Sequence, residues 1–158
     1  MINTPEKYND IIEFITSRDH NKRGVAFLLL DDRKVTAKES FKNLTLNDER
    51  QLRTKFDSWV DRKVRPDCYH GWDKLAFKGR YTNCFVFEHQ AHRFYGFLCH
   101  PKKLDRSYEL CVLVNHTRKY KKHTDPKFLA DVEQIRITLD IQRQIESYIE
   151  DLAKERKS

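Results

Sequence analysis

Three strand-like segments stand close together in the second half of the chain, and they limit the fold more than anything else in it. They are "YTNCFVFEH", "HRFYGFLCH" and "SYELCVLVNH". Each is rich in aromatic and aliphatic residues, as strands are. Only "QA" separates the first pair, and "PKKLDR" the second. A parallel crossover needs about a dozen residues or more, so these connections predict an antiparallel meander.

Helical patterns flank the meander. "TLNDERQLRTKFDSWVDRKV" places Leu52, Phe56, Trp59 and Val60 on one face, which assigns Trp59 to the core. Thr45 or Asn47 can cap this helix, Asp48 and Glu49 suit its first turn, and Pro66 stops it. "RPDCYHGWD" reads as a loop, with Trp72 a candidate for stacking on a base. From Pro126 a stripe of Phe128, Val132, Ile135 and Leu139 predicts a last helix. Ile141, Ile145, Tyr148 and Leu152 continue it. Asp125 can cap it and Pro126 suits its first position. Unbroken, it is roughly 30 residues and 45 Å long, so its distal half is expected to project. At the other end, Tyr8, Ile11, Ile12 and Ile15 fall at helical spacing within "PEKYNDIIEFITSRD", which predicts an N-terminal helix. "RGVAFLLLDD" favours a strand.

The expected fold class is α+β: a small antiparallel-rich sheet with helices packed on it and a long C-terminal helix. One domain is expected over 1–158. Its core covers about 24–140, with an N-terminal helical extension at 1–23 and a projecting helix at 141–158.

The chain carries 31 Lys and Arg against 24 Asp and Glu, a net charge of +7. That favours nucleic acid, the ribosome or an anionic membrane as partner. No apolar run approaches the ~18 residues that a membrane span needs. "MINTPEKYNDIIEF" lacks the pattern of a signal peptide, so the cytoplasm is expected. The cysteines Cys68, Cys84, Cys99 and Cys111 form no C-x-x-C pair, and are expected as small buried hydrophobes. Seven histidines raise the question of zinc. No helical H-x-x-x-H pair and no H-x-E…C-x-x-C set is present, so neither metal nor other cofactor is expected.

The run "DKLAFKGRYTNCFVFEHQAHRFYGFLCH", followed by "YELCVLVNHTRKYKKHTDP" and a helix, resembles the RelE/ParE toxin superfamily, in particular its phage-related, HigB-like branch. "KLAFKG" corresponds to the family's K-x-L-K-G turn. Glu88 corresponds to the glutamate of its first meander strand, and Arg93 to the arginine of the second. The basic exit after the third strand corresponds to "NHTRKYKKHTDP". The similarity covers about residues 45 to 140. His89 stands where the family has an arginine, and the chain is longer at both ends. The resemblance implies a RelE-like fold, a cytoplasmic location and an antitoxin protein as partner. For ribonuclease members it implies metal-independent cleavage of mRNA on the ribosome, and for ParE-type members an action on gyrase. A non-catalytic basic binding module and an inactive phage-derived relative are the alternatives. A projecting apolar helix also invites a homodimer or a toxin–antitoxin hetero-oligomer.

Metal-independent RNA cleavage needs a base for the 2′-OH, cations for the phosphate and an acid for the leaving oxygen. The candidate catalytic residues are Arg93, His116, Arg118, Tyr120 and His123. The arginines would grip phosphate, and the histidines and the tyrosine would move protons. The candidate RNA-binding residues are Lys78, Arg80, His92, Lys119, Lys121 and Lys122. Lys78 and Arg80 flank Gly79, where the backbone can approach a ligand closely. Strand alternation puts His116 on the face of Val112 and Val114, with Arg93 expected on the same surface. His89 is expected across the hairpin from His92.

Overall fold

The computed structural model describes residues 11–18, 22–29, 36–99, 108–119, 124–138 and 143–147. In chain order the elements are β1 (Ile12–Arg18), β2 (Arg23–Leu28), α1 (Ala37–Lys42), α2 (Leu46–Val60), β3 (Tyr69–Gly71), a 3-10 turn (Ala76–Gly79), β4 (Cys84–His89), β5 (His92–Cys99), β6 (Glu109–Arg118) and α3 (Pro126–Thr138). The six strands form one sheet in the order β1-β2-β6-β5-β4-β3. Only β2 and β6 pair in parallel; the other neighbours are antiparallel. The α+β class and the meander β4-β5-β6 are as the sequence predicts.

Residues 12–18, expected as part of an N-terminal helix, are instead the edge strand β1. The β-branched Ile12, Ile15 and Thr16 suit a strand better than a short helix. The register against β2 shifts between Phe14 and Thr16. Ordinary alternation sends Ile12 and Phe14 to one core and Ile15 to the other, and a strand buried on both faces in this way counterfeits helical spacing. The domain core therefore begins at residue 11 or 12 rather than 24. Part of the loop expected at 65–73 is also strand: Tyr69–Gly71 pairs with β4 as β3. The short helix α1 had no signal in the hydrophobic pattern. Thr36 caps it, accepting from the Glu39 amide.

Two apolar layers lie on opposite faces of the sheet. On one, α1 and α2 cover Phe27, Phe87, Phe94 and Leu113 with Phe41, Leu52, Phe56 and Trp59. Trp59 is buried, as its place on the helical stripe predicts. Phe56 meets Phe87 edge to face at 4.8 Å, the orientation that aromatic quadrupoles favour. On the other face, Leu129 and Val132 of α3, with Ile145 of the helical segment 143–147, cover Tyr95, Phe97, Val112 and Val114. Each large side chain buried this way contributes roughly 1.5–3 kcal/mol. The four cysteines are buried and free. Burial pushes the Cys84 and Cys99 thiols up to about 12, so neither is a ready nucleophile.

Thr45 caps α2, its hydroxyl accepting from the Asp48 amide at 3.2 Å. Asp125 does the same for α3, accepting from the Lys127 amide at 3.0 Å. Whether the last helix continues unbroken for its expected length turns on 139–142, outside the described residues, as is its distal part from 148. Among the described residues no helix is long and apolar enough to cross a membrane.

Candidate functional site

One irregularity decides how the polar end of the sheet is laid out. Tyr95 of β5 pairs with Asn115 of β6, but the next residue, Gly96, pairs with Leu113. Between these pairs β6 has one residue more, Val114. Val112 and Val114 both join the α3-side core. The extra residue then reverses the alternation, so His116 packs against Phe94 at 4.5 Å between ring centres, on the α2 side. Gly96 permits this. A Cβ there would overlap the Val112 carbonyl oxygen and stand 2.8 Å from its carbon. The expectation that His116 shares a face with Val112 and Val114 fails for this reason. Arg93 pairs with Thr117 and points to the α3 side, so it does not share a surface with His116 either.

On the α2 side hydrogen bonds and one charge contact join side chains into a run. Asp48, in the first turn of α2, holds His89 Nε2 at 3.0 Å through Oδ1 and His92 Nε2 at 3.5 Å through Oδ2. His92 Nδ1 lies 2.9 Å from His116 Nε2, with the ring centres 5.2 Å apart and the planes tilted by 27°. Lys55, two turns along α2, puts Nζ 2.8 Å from the Glu88 carbonyl oxygen and 3.2 Å from His89 Nδ1. His89 and His92 face each other across the hairpin and are only 8% and 7% exposed, so both imidazoles lie inside the fold. Arg118, exposed, stands opposite His92 on β6.

The electrostatics keep this run short of protons. Burial lowers His92, joined by the Arg118 charge, and Asp48 only partly offsets the two. Burial, followed by the charges of His92 and Arg118, pushes His116 down to about 4. Burial would raise Asp48, but its hydrogen bonds from His89 and Thr45 and the imidazole charges bring it below its ordinary value. At neutral pH the run is a carboxylate with uncharged His92 and His116.

The α3 side of the same hairpin holds fixed charge. Arg93 Nε sits 2.7 Å from Glu88 Oε1 as a charge contact. Arg93 Nη1 donates to the carbonyls of Gln90 at 2.6 Å and His92 at 3.0 Å. His70 Nε2 lies 3.7 Å from the same glutamate. Trp72 is half-buried, its ring 5.0 Å from His70 and stacked at 6.3 Å on Tyr95. Asn115 donates to the Phe128 carbonyl at 3.2 Å and to Asp131 at 2.9 Å, which ties β6 to α3.

Of the expected site residues, the fold therefore brings His92, His116 and Arg118 together and separates Arg93 from them. Lys78 and Arg80 are exposed on the 3-10 turn, whose neighbours Phe77 and Tyr81 pack against the α3-side core. Phe77, Lys78 and Gly79 all have left-handed backbone, with φ of 49°, 59° and 74°. Lys119 closes the end of β6, its amide bonded to the Ala91 carbonyl and its Nζ 3.3 Å from Thr124 Oγ1. Tyr120, Lys121, Lys122 and His123 lie outside the described residues. Asp48 and Lys55 were not foreseen in the site, because their place depends on how α2 docks. Gly96 was the available signal, since a glycine inside a strand marks a bulge or a close approach.

Among the described residues no group of three or more His, Cys, Asp or Glu is placed to hold a metal ion. Comparison with protein-family models, with curated proteins and with solved structures returns no match.

Proposed function

We propose that the chain is the toxin of a toxin–antitoxin pair, a RelE-like endoribonuclease that cuts mRNA on the ribosome and so blocks translation in the cytoplasm. One observation carries this reading: the run Asp48–His92–His116 ends beside Arg118, where β6 enters the most basic stretch of a basic chain. In this reading His116 takes the proton of the 2′-OH. The 2′-oxygen then bonds to phosphorus, and the P–O5′ bond breaks. Its electron pair goes to the 5′-oxygen, which picks up a proton from water or a donor in the basic segment. The products are a 2′,3′-cyclic phosphate and a 5′-hydroxyl. Arg118 and the lysines beyond it oppose the charge that builds on the phosphate. A histidine held at about 4 is empty at neutral pH but a weak base. The bound phosphate's negative charge strengthens it toward the working range.

The test is cell-free translation of an end-labelled mRNA resolved by primer extension. Cuts on translating ribosomes are expected, with a loss on the order of 10²–10⁴ in rate for His116→Ala. Intact mRNA under normal translation overturns the reading. One observation favours a second reading, a non-catalytic module acting on gyrase or nucleic acid: Glu88 already neutralises Arg93. That module would bind with steep salt dependence and leave RNA whole.

A further inference from the structure

Donor and acceptor counting, together with the charge of Asp48, sets where the protons of the histidine run sit. Lys55 Nζ can only donate, so His89 Nδ1, 3.2 Å away, must accept. The single ring proton of His89 is then on Nε2, pointing at Asp48 Oδ1. That leaves Asp48 Oδ2 to face His92 Nε2 at 3.5 Å, a charge contact. A carboxylate has no proton to give. A bare Nε2 lone pair there would face negative charge, so His92 carries its proton on Nε2. Its Nδ1 is therefore an acceptor, and His116 Nε2, 2.9 Å away, must be the donor. The polarity runs one way through the chain and leaves the lone pair of His116 on Nδ1.

We infer that Asp48 and His92 are positioning residues, set by the Lys55–His89 contact, that present His116 Nδ1 as the proton acceptor of the site. The inference rests on the ribonuclease reading for what the acceptor does, but not for which nitrogen it is. When His116 takes a proton at Nδ1 it becomes an imidazolium and keeps its Nε2–H bond to His92. The neutral His92 then lies between that new positive charge and the Asp48 carboxylate, so charge is balanced without a second proton transfer.

The polarity can be reversed by one isosteric change. In Asp48→Asn the carbonyl oxygen must still accept from His89, whose proton Lys55 holds on Nε2. The amide NH₂ is left facing His92. It donates, so His92 must shift its proton to Nδ1 and give it to His116 Nε2. His116 is then forced to carry its own proton on Nδ1, and the acceptor is gone. A role for Asp48 that is merely structural predicts no such inversion.

The experiment is ¹⁵N NMR of the imidazoles in the full-length protein, paired with the cleavage assay. Wild type is expected to show neutral His116 protonated on Nε2 at pH 7. Asp48→Asn should show it protonated on Nδ1, and cleavage should fall on the order of 10²–10⁴-fold in kcat with KM little changed. Wild-type His116 already protonated on Nδ1 overturns the inference without recourse to any variant. So does a folded Asp48→Asn protein in which the tautomer stays put. If the tautomer inverts but neither protein cuts RNA, the relay stands and the ribonuclease reading falls.

Discussion

The β4–β5 hairpin carries two neighbouring rungs whose side chains leave the sheet in opposite directions. His89 and His92 go toward α2, and Glu88 and Arg93 toward α3. The α2 rung is joined by a third histidine and one carboxylate, and its hydrogen bonds depend on which nitrogens hold protons. The α3 rung is a permanent ion pair, because an arginine does not lose its proton in a protein. Its guanidinium also spans the turn, where Gln90 is held in left-handed backbone at φ 52°. One face of the hairpin is thus a fixed brace, and the other a set of groups that can exchange protons. Placing both on adjacent rungs keeps the exchanging groups on a rigid frame.

The strongest way to break this division is Gly96→Ala. The new methyl group has no room against the Val112 carbonyl, so the bulge must go or the sheet must open. A loss of roughly 3 kcal/mol or more is expected, the scale of severe overpacking. Any folded remainder should have lost the His92–His116 contact. Urea unfolding and the histidine spectra would measure both.

Acid should separate the two faces next. The ordinary histidine value is 6.5, and His116 is held at about 4 in the fold. Between those values the unfolded chain binds the proton more readily than the folded one. The share that depends on His116 is therefore full above about pH 6.5 and lost as the pH falls toward about 4. The fall should be a few kcal/mol at most. His116→Gln should flatten much of the slope, with the depressed His92 supplying the rest. Melting temperatures across this range would show it, and an unchanged slope would count against a buried, uncharged His116.

The smallest effect belongs to the brace. Arg93→Met leaves Glu88 half-buried with His70 beside it, and frees the carbonyls of Gln90 and His92. The pair keeps some solvent contact, so the cost should be about 1–2 kcal/mol. His116 should keep its tautomer, and a changed His116 tautomer would mean that the two faces are coupled.

The sequence reveals what is local. The meander, the α2 stripe and its Thr45 cap could be read directly, because short loops and helical spacing constrain neighbouring residues. The face of His116 could not be read by counting, since alternation carries no record of the residue inserted at Val114. The spacing of Ile11, Ile12 and Ile15 fits a helix equally well, because β1 buries side chains on both faces of the sheet. Asp48 was legible as an acid in the first turn of a helix. Its meeting with His89 and His92 is set by the packing of Leu52, Phe56 and Trp59 on the sheet, and periodicity along the chain says nothing of that distance.

The place of β6 has a consequence for synthesis. It is the last strand of the described chain, yet it lies inside the sheet, between β2 and β5. A nascent chain that has passed Cys99 but not Arg118 holds β2 and β5 with open edges and nothing between them. Such edges pair readily with foreign strands, and a contact as long-range as Arg23 with Glu109 forms slowly. Over that interval the open edges are exposed to aggregation. His116 arrives on this same strand, so the histidine run comes into being only when the sheet closes.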